Sequence, residues 1–435
     1  MLYRRVMILP ALLFLAAQPV TFSRDVAPIL FERCVKCHRP GEVAPMSLLD
    51  YKSARPWAKS IGEAVAARRM PPWMADPHFS KFSNDPSLTE TEISTIRAWV
   101  AGGALEGDAK QLPKAPVFVA GWELGTPDVT IDIGKTYTVM PGRDSYEHFI
   151  VQTGFKEGMW LRAADLHPGN RKVVHHAHVN IVPSENQAGA TTIQSMTSLN
   201  DYLVKDGNLT RISQTAPVLD DGCQANAPNL PYLHGAQEGA LASYLPGRSP
   251  DVFGENRAKW IPPGAKLEFV IHYAPVADPN AEATDRTSVG LYRAPRPPEE
   301  VLRRMDLRNF FFVIPPGEGA HKVTRCYAFE KDQTLLSITP HMHYRGKDAR
   351  YDLIRADGRT ETLLFVPKYD FNWQLVYRLQ QPLHVEKGSR LVVTVHFDNS
   401  ANNPANPDPA KAIRWGDKTE EEMMTSWIEY VETKE

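Results

Sequence analysis

Cys34-Val35-Lys36-Cys37-His38 places two thiols and an imidazole in a C-x-x-C-H run. That spacing is the attachment pattern of a c-type haem. The thiols add to the porphyrin vinyl groups and the adjacent imidazole takes an axial position on iron. His38 is therefore the expected proximal ligand. The expected sixth ligand is Met70, in Arg69-Met70-Pro71-Pro72-Trp73. A thioether in a proline-stiffened loop raises the haem potential relative to a second imidazole. Met46 and Met74 are alternatives, since a Met on an apolar stretch is often only core. A zinc half-site or a thioredoxin-type pair would use the same two Cys. A zinc site would want a second Cys or His pair nearby, and this segment offers only His78 besides.

A second set of donors lies far downstream. It comprises Val174-His175-His176-Ala177-His178, Val270-Ile271-His272-Tyr273 and His341-Met342-His343. In a strand, His341 and His343 would point to one face, because side chains repeat every two residues. Glu421-Glu422-Met423-Met424 could add a soft sulfur ligand. Imidazole with thioether favours copper, especially in its reduced state, whereas sites for calcium, magnesium or facial-triad iron use carboxylates. A blue-copper centre would need a thiolate beside a His, and no Cys is placed for it. A lone His in a strand, such as His272, is more often a hydrogen-bonded core residue than a ligand. The joint pattern argues for metal.

The elements that would carry these residues change along the chain. Val26, Ile29, Leu30 and Cys34 recur at helical spacing, and Trp57, Ile61, Ala64 and Val65 mark a second helical face behind Pro56. Thr89 and Glu92 form a capping box ahead of Ile93, Ile96, Trp99 and Val100, and Gly102-Gly103 end that helix. Three short helices around C-x-x-C-H predict a small all-α monohaem cytochrome c domain over 23–108, with 109–120 as a linker. Beyond it, runs such as Lys266–Tyr273 and Leu391–Phe397 alternate apolar and polar residues between Pro and Gly, which predicts antiparallel β-sandwiches. The Pro-rich stretch at 293–298 divides them into 121–298 and 299–435.

Length and composition agree with several domains: 435 residues, 43% hydrophobic and 23% charged. A net charge of −2 gives no electrostatic case for nucleic acid or an anionic membrane surface. Arg4 and Arg5 precede an apolar run from Met7 to Ala17, so residues 1–22 read as a signal peptide, and a periplasmic or secreted location is expected. The run is short for a membrane span, and no stable membrane insertion is expected. In an oxidising compartment, Cys223 and Cys326 could form a disulfide.

The ordered set V-H-H at 174–176, V-I-H-Y at 270–273, H-x-H-x-x-G-K at 341–347 and E-E-M at 421–423 resembles the copper type II, ascorbate-dependent monooxygenases. That family includes peptidylglycine α-hydroxylating monooxygenase and dopamine β-monooxygenase. The resemblance covers roughly residues 120–433. It implies two tandem jelly-roll sandwiches behind the cytochrome domain, and two copper ions. His175, His176 and His272 would hold an electron-transfer copper. His341, His343 and Met423 would hold the oxygen-activating, catalytic copper. His178 could replace His175, and His396 or Met424 could replace Met423.

The resemblance implies an oxidoreductase that hydroxylates a C–H bond of a small organic substrate with O2. Electrons would come through haem c or from an external donor, either an ascorbate-like reductant or a redox protein. The alternative is a non-enzymatic haem and copper electron carrier or copper-binding protein. The sequence also departs from the peptide-processing members. Their substrate carboxylate is gripped by an Arg, an Asn and a Tyr at positions held here by Thr339, Thr425 and Trp427. A peptidylglycine substrate is therefore not expected.

Overall fold

A computed structural model describes residues 18–42, 44–119, 121–142, 145–182, 202–205, 208–211, 239–245, 247, 250–274, 282–309, 312–416 and 418–432. Cys223 and the whole apolar stretch of the expected signal peptide, Met7 to Ala17, lie outside the described residues. The chain divides into two compact units. One is formed by Met1–Pro40, Ala44–Pro71 and Ser87–Pro116, the other by Gly41–Val43, Pro72–Pro86 and Val117–Glu435.

The first unit is held by an apolar cluster that includes Phe22, Leu30, Val35, Ile61, Val65, Ile96 and Trp99. Its longest helix, Glu90–Ala101, starts where the capping box predicts. Thr89 accepts from the backbone N–H of Glu92, and Glu92 reaches back to the N–H of Thr89 at 2.7 Å. The other α-helices among its described residues are short: Ala27–Arg33, Tyr51–Ala54 and Ala58–Ala66. Pro40, Gly41, Pro45, Pro71, Pro72, Pro77 and Pro86 interrupt the stretches between them, where a missing N–H or a free backbone ends helical pairing.

The expected fold class is corrected here. The molecule is mostly β, its helices are few and short, and no all-α cytochrome c domain is evident. The expectation of two self-contained jelly rolls after it is also changed by the pairing. Among the described residues, one nine-stranded sheet runs through both halves of the β region. Its main path is Val129–Asp132, Ser288–Arg293, Met159–His167, Arg257–Ile261, Glu300–Asn309, Met424–Glu432, Gln333–His341 and Tyr377–Val385. The seam is parallel, Arg257 opposite Glu300 and Ala258 opposite Val301. The Arg257 guanidinium also donates to the Glu300 carboxylate at 2.6 Å. Local periodicity carries no information about such a pairing, because the two strands lie across the Pro-rich 293–298 stretch.

Two four-stranded sheets complete the site-bearing architecture. One has the order Ser145–Gln152, Lys266–Tyr273, Val174–Val182, Ala240–Tyr244. The other has the order His321–Ala328, Arg390–Phe397, Gly346–Ile354, Thr360–Val366. Strand Lys266–Tyr273 shows why the pattern folds this way. Leu267, Phe269, Ile271 and Tyr273 are fully buried in one apolar cluster with Leu161, Val179, Val289 and Leu302. A second cluster joins Leu307, Ile338, Tyr351, Val393, Phe397 and Ile428. No helix among the described residues is long and apolar enough to cross a membrane.

Candidate metal centre

Adjacent residues on a strand normally face opposite ways. His175 and His176 nevertheless turn to the same place, because strand Val174–Val182 is bulged against Lys266–Tyr273. His272 pairs with His176, but Tyr273 pairs with Val174, so His175 is the extra residue. A bulge of this kind re-aims a side chain. His272 is itself buried, with Tyr146 stacked on its ring at 4.3 Å.

The result is a triangle of imidazole nitrogens. Nδ1 of His175 lies 3.2 Å from Nδ1 of His176 and 3.2 Å from Nδ1 of His272, and the last two are 3.4 Å apart. The centre of such a triangle is ~1.9 Å from each corner, close to the ~2.0 Å of a metal–imidazole bond. Three ring nitrogens cannot satisfy one another by sharing protons in that arrangement. A cation at the centre does satisfy them. Burial, then the fields of His272, His178, His175 and His341, holds the pKa of His176 well below the ordinary histidine value, so it is a neutral donor. Among the described residues this is the one group of three or more His, Cys, Asp or Glu side chains gathered for a metal. His178 stands apart from it, with Nδ1 3.0 Å from Ser243 Oγ.

The second pair forms differently from the strand-face expectation. Strand Gln333–His341 ends at His341, and His343 lies in the turn before Gly346–Ile354. Their ring centroids are 5.3 Å apart with the planes perpendicular. The turn is fixed by the fully buried Glu422. Its carboxylate accepts from the backbone N–H of His343 at 2.9 Å, of Arg345 at 2.6 Å and of Met423 at 3.3 Å. Burial pushes the Glu422 pKa up to about 8, a rise opposed by the Arg345 and His343 amides.

Both rings of this pair have their Nδ1 engaged. His341 Nδ1 is 2.7 Å from Gln374 Oε1, and His343 Nδ1 is 3.2 Å from the Glu421 carbonyl. A carbonyl oxygen only accepts, so Nδ1 carries the proton and Nε2 is left as the donor to a metal. Burial lowers the His341 pKa to about 4, and burial with the field of His341 lowers that of His343 to about 3.

Met423 is half-buried beside Glu422, at the start of strand Met424–Glu432. Met424, the alternative to Met423, is fully buried in the apolar core. His396 sits on strand Arg390–Phe397 with Nδ1 2.7 Å from Asp348. The two His groups approach each other through aromatic rings. Phe371 is 6.5 Å from His272 and 5.9 Å from His343, while Trp427 is 5.6 Å from His178 and 5.0 Å from His341, all between ring centroids. In the other unit, the Cys34–His38 loop is a tight turn, with the N–H of Cys37 and of His38 both on the Cys34 carbonyl at 3.2 and 3.0 Å. Met46 packs on that unit's core and Met70 precedes Pro71 in its own loop.

Gln374, Phe371, Tyr146 and Glu422 are site residues that sequence reading missed. Only Glu422 carried a signal, its place beside Met423 in E-E-M.

These features define a β protein with two clusters of imidazole nitrogens, one of them tied through Glu422 to the segment that carries Met423. Residues 305–435 match the family model for the copper type II ascorbate-dependent monooxygenase, C-terminal domain. The protein is thus an oxidoreductase, a monooxygenase of the copper-dependent kind. No curated protein matches the chain. The major capsid protein P2 of bacteriophage PM2 is similar at 10% identity, over 70% of this chain and 97% of that one, with a TM-score of 0.24. A Paenibacillus xanthan lyase is similar at 10% identity, over 74% of this chain and 28% of that one, with a TM-score of 0.18. At these scores neither bears on fold or function.

Proposed function

We propose that this chain is an exported monooxygenase that hydroxylates a C–H bond of a small organic substrate. O2, two electrons and two protons would be consumed to give the alcohol and water. His175, His176 and His272 would hold an electron-transfer copper, and His341, His343 and Met423 an oxygen-activating copper. Copper bound in these two places supplies one-electron redox chemistry and the activation of O2. The observation that carries the reading is the triangle of His175, His176 and His272 nitrogens, whose size suits a metal.

The chain's own residues have separable tasks. Gln374 fixes the ring of His341 through Nδ1, and Glu421 does the same for His343, so both present Nε2. Glu422 ties the His343 turn to the segment that carries Met423. Phe371 and Trp427 place aromatic rings between the two His groups.

Haem c is proposed at Cys34, Cys37 and His38 as the source of electrons, with ascorbate-like reductant or a redox protein behind it. The residues suit the group. Burial holds the His38 imidazole below the ordinary histidine pKa, as a neutral donor, and the two thiols lie just ahead of it in the same turn. Burial pushes the Cys34 thiol up to about 12, so it is protonated in this fold, and Cys34 and Cys37 would supply the thioether links to the haem.

Turnover under labelled dioxygen tests the hydroxylation. Incorporation of one labelled oxygen atom into product, with one O2 used per product, is the expected result. Label appearing only in water, with the organic substrate unchanged, would favour a simple electron carrier.

A further inference from the structure

A cavity of about 50 Å³ opens beside the second His pair. It is lined by His178, Lys259, Arg304, Thr339, Gln374 and Trp427, among others. Two residues of this lining each carry a buried N–H donor without an acceptor. Gln374 is 2% exposed, and its Nε2 is buried without a partner. The indole Nε1 of Trp427 is buried without a partner as well. Native structures rarely leave buried donors unmatched, and those that are unmatched mark a missing ligand or water. The Gln374 amide cannot turn over to remove its own orphan. Its Oε1 is already the acceptor for His341 Nδ1, the bond that leaves Nε2 of that ring for a metal.

The charged groups on the lining are committed elsewhere. The Lys259 ammonium donates to the Ala240 carbonyl and lies 3.1 Å from Glu429. Arg304 donates to Asp306 at 2.8 Å. Asp251 accepts from the Ser243 N–H at 2.9 Å and Arg378 stands 3.5 Å from it. Lys259 and Arg304 are matched in number by Asp251 and Glu429, so the lining is balanced in charge. An anion would meet no net positive field, and an ammonium would meet two more donors. A neutral carbonyl oxygen, with two lone pairs and no charge to desolvate, answers the two orphan N–H groups.

We infer that this cavity binds the substrate by a neutral carbonyl group, an amide, ketone or ester, held by Gln374 Nε2 and Trp427 Nε1 beside His341. The inference rests on the monooxygenase reading of the same site and names its substrate class. The indole face would lie along the remainder of the molecule. A substrate carboxylate has no guanidinium to grip here, because position 339 is Thr and Arg304 is bound to Asp306.

The test uses the full chain and three probes of one shape: butyramide, butyrate and butylamine, with dissociation constants read by ligand-observed NMR. Butyramide should bind at least about tenfold more tightly than butylamine, and more tightly than butyrate. Trp427→Phe keeps the ring and loses the N–H, and should weaken butyramide about fivefold, the ordinary worth of one hydrogen bond. Gln374→Met should weaken it similarly, while the affinity for butylamine stays the same in both variants. Equal binding of all three probes, preference for butyrate, no binding of butyramide, or indifference to both substitutions would overturn the inference. Copper content and labelled-oxygen incorporation are read separately, so a cavity that ignores carbonyl groups leaves the hydroxylation proposal standing.

Discussion

At the scale of single residues, burial decides which groups can be ligands. The imidazoles of His176, His341 and His343 are all held below the ordinary histidine pKa. They would meet a cation as neutral donors. Burial acts in the opposite sense on carboxylates, as at Asp165 on strand Met159–His167. It is 7% exposed, and burial raises its pKa to about 6, eased by the backbone N–H of Glu123. The folded protein therefore holds this proton more tightly than the unfolded chain does. Its contribution to stability is fully present below the unfolded value near 4 and is lost as pH rises through about 6. Thermal unfolding between pH 4 and 7 should show a component that Asp165→Asn abolishes. At pH 7 that variant should be more stable than the parent by about 1–3 kcal/mol. An identical pH profile in the variant would disprove the assignment.

At the scale of elements, two local devices build the site. The bulge at His175 lets consecutive residues share a direction, and the Glu422 carboxylate holds the turn after strand Gln333–His341. Glu422→Ala would leave the amides of His343, Arg345 and Met423 without their acceptor. A loss of about 3–5 kcal/mol is expected, since three backbone N–H groups lose their acceptor at about 1–3 kcal/mol for each that stays buried and unsatisfied. Copper bound through His343 should weaken with it, and Glu422→Gln, which keeps an acceptor oxygen, should recover part of both. Chemical denaturation and metal analysis would read the two effects, and full copper content in the Ala variant would refute the role given to Glu422. The H-H and H-x-H runs were legible in the sequence because spacing alone made them unusual. The bulge was not, since it depends on how His272 and Tyr273 register with the neighbouring strand. Gln374 was invisible for a related reason, standing 33 residues from the ring it holds.

At the scale of the whole molecule, strand alternation was readable at Lys266–Tyr273 and Arg390–Phe397, and the fold class was not. Strand Met424–Glu432 inserts between Glu300–Asn309 and Gln333–His341, and Arg257–Ile261 joins Glu300–Asn309 in parallel. Pairings between distant segments follow from register and burial, not from local period. The helical spacing near residues 26–34 was real but short, and proline limited what it could build. The C-x-x-C-H turn remains the chemical feature of that unit. Cys34→Ser combined with Cys37→Ser should abolish covalent haem, read as loss of the haem band after acid–acetone extraction, while copper content is unchanged. Haem that extracts freely from the parent protein would contradict the proposed attachment.

Copper per chain in the full-length protein, counted after loading with Cu(I) and removal of excess metal, bears most directly on the account. Two coppers per chain are expected, falling to one in His272→Ala and remaining two in His178→Ala, whose ring bonds Ser243 and stands outside the triangle. A parent protein that retains no copper, or a His272→Ala variant that retains as much as the parent, would contradict it.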